Sequence, residues 1–464
     1  MEPIKFGTDG WRAKIADTYT RSNVRRAAAA MADVLKLQKK RCKVVVGFDP
    51  RFGSEMFASD AAAVLASKGH EVVLSNGILP TPALSLALGR WKADAGVMIT
   101  ASHNSGAYNG FKIKLPPGVS APVSFTKEVE LRLPETAPEA NEDARIPTAD
   151  FLGYYLQVLK SKVDIKAIRA AGFRIVADPM HGAAQRHLEE LLAGGKTKVT
   201  TIAYERDAWF GGRHPEPIDR FLGPLKEAVR RTHAHVGLAT DGDADRIGLV
   251  DEKGKFVDVH KIHALLLYHL WQNRGWRGSV VKTVSGTIML DRMAQAWGVP
   301  VMVTPIGFKY IGEVMLKEDV LLGVEESGGI AVKGHLPERD GLFSGLLILE
   351  ALTKLGPSVT KAVARLQKEF GPFHSDRMDL ENVPPSLQAR VMGRLKNAPP
   401  DKVAGFKVLG VDTMDGVKLL LENGWLLVRA SGTEPLLRLY AEAPTLAGVK
   451  ALLAAADAFV KKNR

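Results

Sequence analysis

The sequence contains a single cysteine among 464 residues, so an intrachain disulfide is impossible. Cys42 precedes an apolar run at 44–46, which predicts a buried structural thiol. No apolar run approaches the roughly 18 residues that a membrane-spanning helix needs. The first residues also lack the apolar core of a signal peptide. We therefore expect a cytoplasmic protein with no membrane partner.

The sequence also lacks a basic stripe or tail, although positive charge is in excess. Its formal net charge is +12 and its pI is about 9.5. Such a balance favours anionic partners. Because neither a zinc finger nor an aromatic RNA-binding signature is present, we expect no nucleic-acid partner and favour phosphorylated small molecules. The Gly-rich turn Gly7–Arg12 lacks the Gly-Lys-Ser/Thr ending of a P-loop, which argues against nucleoside triphosphates.

The pattern of apolar runs predicts the fold class. A prior of about 100–200 residues per domain suggests three or four domains. Short apolar runs alternate with helix-length amphipathic segments in three successive blocks, which predicts three similar α/β domains with mixed, largely parallel sheets. A smaller C-terminal α+β domain follows, and its strands are joined by short turns such as Glu422–Gly424. We predict domains at 1–145, 146–255, 256–370 and 371–464, with a partial linker at 116–147.

The individual elements can be predicted for each block. In the first, strands are expected at 43–48, 71–75 and 95–100, helices at 54–68 and 81–91, and a short element at 125–133. In the second, strands are expected at 173–178, 199–203 and 236–240 and helices at 183–193 and 221–232. In the third, strands are expected at 279–282, 301–304 and 320–324 and helices at 288–297 and 308–315. In the tail, strands are expected at 408–411, 417–421, 426–428 and 437–441 and helices at 385–395 and 446–461.

A polar turn, Thr100–Asn104, follows the first block's last apolar strand. A serine at the carboxyl edge of a parallel strand stands where α/β sheets hold ligands. The Ser102 hydroxyl can accept and donate a phosphoryl group if neighbours such as His103 and Lys112 stabilise the charge. The alternative is an ordinary Ser/Asn turn with local hydrogen bonds.

Three carboxylates, Asp241, Asp243 and Asp245, follow another apolar strand at alternate positions. In a loop this spacing can bring them onto one hard cation such as Mg²⁺. An EF-hand is excluded because its sixth position needs Gly, which here is Arg246. The Asp-x-Asp-x-Thr/Val motif of aspartyl phosphatases is also absent. A solvated acidic turn remains the alternative, but uncompensated carboxylates would repel one another between apolar strands, so a metal site is favoured.

Three further loops carry candidate binding groups. The run 429–435 combines an arginine with Ser, Gly and Thr, which suit a phosphate. The run 323–329 places carboxylates and a serine on a Gly-rich loop, which suits sugar hydroxyls. Lys309 follows a strand, where a lysine can bind phosphate or act as a general base. Taken alone, each also fits an ordinary feature: a polar hairpin turn, an acidic loop or N-cap, and a solvated lysine.

Taken together, these segments resemble the α-D-phosphohexomutase family, which includes phosphoglucomutases, phosphomannomutases and phosphoglucosamine mutases. Five motifs occur in the family order along the whole chain: Gly-Thr-Asp-Gly-x-Arg, Thr-Ala-Ser-His-Asn, Asp-Gly-Asp-Ala-Asp-Arg, Glu-Glu-Ser-Gly-Gly and Arg-x-Ser-Gly-Thr-Glu-Pro. Chance agreement of five ordered loops is negligible. The resemblance implies four domains around one cleft.

The resemblance also implies roles for individual residues. Ser102 would be the phosphoserine and, with Asp241, Asp243 and Asp245, a ligand of one Mg²⁺ ion. Lys309 would transfer protons. The remaining implied residues surround the phosphoserine or bind the substrate: Arg12, His103 and Lys112 around Ser102; Glu325 and Ser327 at the sugar hydroxyls; and Arg429, Ser431, Gly432 and Thr433 around the non-reacting phosphate. Beside the aspartates, Arg246 could bind a substrate phosphate or screen the carboxylates, and Arg438 could assist the loop at 429–435 in binding phosphate.

The implied reaction is reversible transfer of a phosphoryl group between the 1- and 6-positions of a hexose. It proceeds through phosphoserine and a hexose 1,6-bisphosphate, so glucose 1,6-bisphosphate would serve as activator and intermediate. The chain would act on small hexose phosphates as a monomer or homodimer. Three positions depart from the usual family pattern without removing a reacting group: Ser105 for Pro, Val324 for Gly and Ala430 for Pro.

The sugar loop ends in Gly329 rather than in the His of glucosamine or dual glucose/mannose enzymes, which favours a phosphoglucomutase. A phosphomannomutase or dual enzyme comes second and a phosphoglucosamine mutase third. Three other functions remain open: a non-catalytic sugar-phosphate binder, a phosphohydrolase and, least favoured, a nucleic-acid-binding protein.

Overall fold

The computed structural model describes residues 4–7, 9–140, 145–430 and 436–463. They form two compact units that interleave in sequence. The first consists of Met1–Val259, Gly312–Asp319 and Ser327–Thr360. The second consists of His260–Ile311, Val320–Glu326 and Lys361–Arg464.

A seven-stranded mixed sheet organises the beginning of the first unit. Its elements are β1 (Trp11–Lys14), α1 (Arg21–Gln38), β2 (Lys43–Phe48), α2 (Ser54–Ser67), β3 (Glu71–Ser75), α3 (Thr81–Trp91), β4 (Ala95–Ile99), β5 (Tyr108–Leu115), β6 (Val119–Ser120), α4 (Val123–Leu131) and β7 (Thr148–Ala149). The strand order is β1-β5-β4-β2-β3-β7, and β6 pairs with β5. Strands β3, β2 and β4 are parallel, and the residues of β4 are all buried. Burial on both faces explains why β2 and β4 are nearly continuous apolar runs.

A second sheet in the same unit has five strands. The elements are α5 (Phe151–Lys162), α6 (Ile165–Ala170), β8 (Arg174–Asp178), α7 (His187–Leu192), β9 (Lys198–Thr201), α8 (Gly223–Thr232), β10 (Val236–Thr240), β11 (Ile247–Asp251) and β12 (Phe256–Val257). The order is β12-β11-β10-β8-β9. Strands β8, β9 and β10 are parallel, whereas β10 and β11 are antiparallel and are joined by residues 241–246.

The expected helix at 183–193 is wrong over its first four residues, because α7 begins only at His187. The preceding residues form turns, and Gln185 has a positive φ of 39°. Ala183 N donates to Gly242 O over 2.9 Å, which ties this segment to the loop after β10. Tertiary hydrogen bonding therefore overrides the helical preference of the alanines.

The remaining elements complete both units. They are α9 (Val259–Tyr268), β13 (Ser279–Thr283), α10 (Ile288–Trp297), β14 (Val301–Thr304), α11 (Phe308–Met315), β15 (Val320–Val324), β16 (Ile330–Val332), α12 (Gly341–Leu355), α13 (Val359–Phe370), β17 (His374–Leu380), α14 (Pro385–Asn397), β18 (Lys402–Val403), β19 (Phe406–Asp412), β20 (Val417–Leu421), β21 (Gly424–Ala430), β22 (Leu437–Ala443) and α15 (Leu446–Lys462). In the second unit, β14, β13 and β15 are parallel, and an antiparallel sheet has the order β17-β22-β21-β20-β19-β18. Apolar residues of α14 and α15 share a core with this sheet.

The fold class expected from the sequence is confirmed: three α/β regions with mixed sheets precede a C-terminal α+β region. The segment 116–147, expected to be a partial linker with a short element at 125–133, contains β6 and α4. Across the described ranges, no single helix meets the length and hydropathy needed to cross a bilayer. Helices α12 and α13 meet the criterion only as a pair bent by 76°, and α12 is largely buried inside the protein.

Candidate active and metal site

Ser102 lies in the turn after β4 and is completely buried. Its φ of 53° is in the left-handed region, which costs energy for a residue with a side chain and is frequent at functional sites. Ser102 N donates to Thr100 Oγ1 over 2.9 Å. Ser102 Oγ donates to Asp241 Oδ2 over 2.8 Å. The structure thus brings together the two motifs that the sequence analysis favoured most.

Asp241, Asp243 and Asp245 form one buried group on the loop between β10 and β11. One ligand atom from each can be chosen so that all lie within 4.8 Å of one another. Asp241 Oδ1 accepts the N–H groups of Asp245 and Arg246 at 2.9 and 3.1 Å. Oδ1 of Asp243 and Oδ1 of Asp245 are buried without a hydrogen-bond partner within the described ranges. Buried carboxylate oxygens need a partner, so this hard-oxygen donor set fits a divalent cation such as Mg²⁺.

The two oxygens of Asp243 have different environments. Oδ2 accepts from Thr81 Oγ1 at 2.6 Å and from Lys112 Nζ at 2.8 Å, while Oδ1 has no such partner among the described residues. Burial raises the pKa of this carboxyl. The charge of Lys112 and the hydrogen bonds from Lys112 and Thr81 lower it by more, so the net pKa lies below its usual range. Asp243 is therefore ionised and held in one orientation.

Asp241 shows the opposite shift. Burial, followed by repulsion from Asp245 and Asp243, raises its pKa well above the usual carboxyl value. Three carboxylates this close favour sharing charge with a cation or a proton. The arrangement is that expected of a cation site.

A buried ionic network adjoins the three aspartates. Lys112 Nζ lies 2.8 Å from Asp9 Oδ2 and 3.4 Å from Asp245 Oδ2. Arg339 Nη2 lies 2.8 Å from both Asp9 and Asp245, and Lys114 Nζ lies 2.7 Å from Glu338 Oε2. Burial lowers the Lys112 pKa, but Asp243 and then Asp9 raise it more, so it remains well above the usual lysine value. Lys112 is therefore a permanent cation in this structure.

Three other predicted residues lie around the Ser102 turn. Arg12 Nη1 donates to Asn104 Oδ1 over 2.9 Å. Arg246 Nε lies 3.8 Å from carboxylate oxygens of Asp241 and Asp245. Burial, followed by Arg246 and Arg12, lowers the pKa of His103 well below its usual value, so its imidazole is neutral.

The other predicted residues occupy separate parts of the chain. Lys309 is half-buried in the first turn of α11, with Nζ 4.9 Å from the Tyr310 ring centroid. Glu325 directly follows β15 and is buried, and Ser327 is half-buried. Lys309 and Glu325 belong to the second unit, whereas Ser327, Ser102 and the three aspartates belong to the first.

Two arginines stand opposite each other in the last sheet. Arg429 on β21 is the cross-strand partner of Arg438 on β22. Arg429 Nε donates to Asp415 Oδ1 over 2.8 Å, while Arg438 Nε is buried without a hydrogen-bond partner in the part of the chain that the structure describes. Like charges directly opposite on two strands are unfavourable unless an anion compensates them. The predicted Ser431, Gly432 and Thr433 lie outside the described residues.

Sequence reasoning assigned no role to several residues that the structure places here: Asp9, Asp49, Arg51, Thr81, Lys114, Glu338 and Arg339. Signals for two of them exist in the sequence. Arg51 follows the apolar strand β2 in a polar turn, and Arg339 lies in the charged run 338–340. Thr81 at the start of α3 has no distinctive pattern around it, because its contact with Asp243 spans 162 positions.

Four family models match the chain in order. They are phosphoglucomutase/phosphomannomutase domain I at residues 3–139, domain II at 153–254, domain III at 258–370 and the C-terminal domain at 389–458. A curated relative named "Phosphoglucomutase/phosphomannomutase" from Thermococcus kodakarensis is 33% identical over 94% of each chain. A "Probable phosphoglucosamine mutase" from Pyrococcus abyssi is 30% identical, covering 98% of this chain and 97% of its own. A solved structure described as a "putative phosphomannomutase" from Thermus thermophilus has a TM-score of 0.89, with 36% identity and 99% coverage of both chains.

Proposed function

Because this chain belongs to the phosphoglucomutase/phosphomannomutase family of phosphohexomutases, we propose that it converts glucose 1-phosphate reversibly into glucose 6-phosphate. One observation carries the proposal. The buried Ser102 hydroxyl is hydrogen-bonded to a group of three buried carboxylates that can hold a cation. A nucleophilic oxygen beside a cation site is what phosphoryl transfer to and from serine requires.

The proposed reaction has two balanced halves. In the first, phosphorylated Ser102 gives its phosphoryl group to the free 6-hydroxyl of the hexose 1-phosphate. That hydroxyl loses its proton, the serine oxygen gains one, and a 1,6-bisphosphate forms. In the second, the bisphosphate reorients and returns its 1-phosphoryl group to Ser102, whose hydroxyl loses its proton while the sugar O1 gains one, leaving the hexose 6-phosphate. The enzyme ends in its starting form, so catalytic glucose 1,6-bisphosphate suffices to phosphorylate it initially.

We propose Mg²⁺ as the cation of Asp241, Asp243 and Asp245, with an oxygen of phosphorylated Ser102 as a further ligand. When bound, the ion would offset the charge that develops on the transferring phosphoryl group. Thr81 and Lys112 orient Asp243 through its second oxygen. Arg12 and Lys112 would stabilise the phosphoryl oxygens, and the neutral His103 would donate a hydrogen bond without adding charge.

Further residues are proposed to contact the substrate. The opposed Arg429 and Arg438 support a site for the non-reacting phosphate, to which we also assign Ser431, Gly432 and Thr433. We propose that Glu325, Ser327 and Arg246 also contact the substrate. Lys309 stays our candidate for proton transfer to and from the sugar hydroxyl.

The domain boundaries at 145, 255 and 370 also stay a proposal. Each lies between consecutive segments matched by the family models or at the end of one of them. We propose a cytoplasmic protein acting on small hexose phosphates as a monomer or homodimer.

A coupled assay with Mg²⁺ and catalytic glucose 1,6-bisphosphate tests the proposal. Glucose 1-phosphate, mannose 1-phosphate and glucosamine 1-phosphate are compared in parallel. We expect the highest kcat/KM for glucose, because the sugar loop ends in Gly329 rather than His. A phosphomannomutase or dual enzyme stays the second candidate and a phosphoglucosamine mutase the third, and relatives carry each of these names. Binding of all three sugars without turnover would instead indicate a sugar-phosphate binder.

A further inference from the structure

Arg51 is a fully buried arginine in the loop between β2 and α2. Its Nε donates to Asp49 Oδ2 over 3.0 Å, and Asp49 is also fully buried. Neither side chain contacts the three aspartates of the metal site through any described hydrogen bond. A buried charged pair of this kind is by itself weak evidence of stabilisation, so its position calls for another explanation.

The guanidinium of Arg51 donates to four carbonyl oxygens of the turn that carries Ser102. Nη2 donates to Ser102 O over 2.6 Å and to Asn104 O over 2.7 Å. Nη1 donates to Ser105 O over 2.8 Å and to Tyr108 O over 2.9 Å. Because the guanidinium is planar and its five donors are fixed relative to one another, it sets the positions of these carbonyls together.

Asp49 holds the same turn through Thr100. Asp49 Oδ2 accepts from Thr100 Oγ1 at 2.6 Å, and Thr100 Oγ1 in turn accepts Ser102 N at 2.9 Å. The peptide units on both sides of Ser102 are therefore tied to the Asp49–Arg51 pair. Ser102 keeps an unfavourable positive φ, which persists only where the surroundings over-determine it.

The carbonyl that Arg51 holds also faces the metal loop closely. A Cβ atom added to Gly242 would lie 2.4 Å from Ser102 O and 3.4 Å from Arg51 Nη2. The position of the Ser102 carbonyl thus decides how closely the serine turn approaches the loop bearing Asp241. Arg51 Cζ also lies 4.7 Å from the centroid of the Phe210 ring, so the ring covers one face of the guanidinium.

We propose that Arg51, oriented by Asp49, is a positioning residue for phosphoryl transfer at Ser102. It touches no reacting atom. It fixes the turn from Ser102 to Tyr108 so that the serine hydroxyl stands against Asp241. This inference rests on the proposed mutase function and adds a residue outside the five family motifs. A purely structural role would instead affect only stability.

The test compares R51K and R51M with the control R169M. Arg169 lies on α6 and is half-buried, and its guanidinium also donates to a backbone carbonyl, Leu191 O, over 3.0 Å. We expect R51M to lower kcat about 100-fold, the scale of an ångström-size misplacement, with KM changed less than about 2-fold. R51K should be intermediate because an ammonium has only three donors. The rate at which glucose 1,6-bisphosphate phosphorylates Ser102 should fall in the same order.

Hydrogen–deuterium exchange supplies a readout that needs no turnover. Amides of Ser102, Asn104 and Tyr108 are hydrogen-bonded within the turn, so R51M should accelerate exchange in a peptide spanning 100–108 and R169M should not.

Wild-type kcat in a folded R51M enzyme, or equal loss of kcat in R169M, would overturn the proposal. If R51M does not fold, wild-type kcat and exchange in R51K overturn it instead. Should the wild type convert none of the three sugars, the mutase function fails, and unchanged exchange in R51M would separately reject the positioning role.

Discussion

Ser102 and Asp241 are 139 positions apart in the chain, yet their side chains share a 2.8 Å hydrogen bond in a fully buried site. The serine lies just after strand β4 and the aspartate just after strand β10, and each of these strands has a parallel neighbour in its sheet. The bond places a hydroxyl beside a group of carboxylates suited to a cation. Both partners of this contact, and the residues that hold them, can be tested by single substitutions.

Replacing Ser102 with alanine should reduce mutase turnover to background, because no other hydroxyl in the described ranges is hydrogen-bonded to Asp241. Phosphorylation by glucose 1,6-bisphosphate should also disappear, as measured by intact-protein mass. The control is S67A in α2, whose hydroxyl donates to the Val64 carbonyl. Full activity in S102A would exclude the phosphoserine mechanism.

Replacing Gly242 with alanine should lower kcat by about 10-fold or more, because its Cβ would stand 2.4 Å from Ser102 O and force the two loops apart. The matched control is G89A in α3, where an added Cβ meets nothing within 4 Å. That change should stabilise the helix by roughly 0.5–1 kcal/mol. Equal kinetics in G242A and G89A would show that the close loop approach does not matter for turnover.

Replacing Thr81 with valine should weaken Mg²⁺ binding about 10–100-fold, the usual effect of removing a group that orients a metal ligand. The hydroxyl donates to Asp243 Oδ2 over 2.6 Å, while the backbone Thr81 N–H donates to Asp243 O over 2.9 Å and can still do so in the variant. Isothermal titration with MgCl₂ measures the change. T126V, which removes an exposed local hydrogen bond to Val123 O, serves as the control. Identical Mg²⁺ affinity in both variants would contradict the assigned cation site.

We expect the free energy of unfolding to depend on pH because Lys418 is buried. Burial, followed by the nearby Lys282, lowers its pKa from 10.5 to about 8. Below pH 8 Lys418 is protonated in both the folded and the unfolded state, so the folded state bears the full free-energy cost of burying this charge. Between pH 8 and 10.5 the unfolded state binds more protons, so this residue makes the free energy of unfolding rise with pH, by about 3 kcal/mol in total.

The comparison of wild type with K418M isolates this effect from other titrations. The free energy of unfolding of wild type minus that of K418M should increase between about pH 7 and 10.5 in urea titrations. K407M removes an exposed lysine from the adjacent β19 and should show no comparable trend. A difference that stays flat or falls with rising pH would refute the assigned shift.

The sequence predicted the bounds of several strands correctly: β2, β3, β10, β14, β15 and β20. Strands β10 and β15 are buried throughout, and burial on both faces leaves a continuous apolar signal. The prediction of a helix at 183–193 was wrong over its first four residues, because Ala183 N donates to Gly242 O in the loop after β10. The long β5 after the serine turn was not predicted, although its residues from Asn109 to Lys114 are buried.

Local pattern alone determined which residue types could carry the chemistry. A serine turn and three alternating aspartates each follow an apolar strand, and parallel strands collect such loops at one edge of a sheet. Tertiary structure decided which groups support them. Arg51 reaches Ser102 O across 51 positions, Thr81 reaches Asp243 across 162, and Arg339 Nη2 lies 2.8 Å from Asp245. The reason is physical. A run of adjacent apolar residues is enough to indicate a buried strand, whereas hydrogen bonds and ion pairs between distant segments form only when the chain folds.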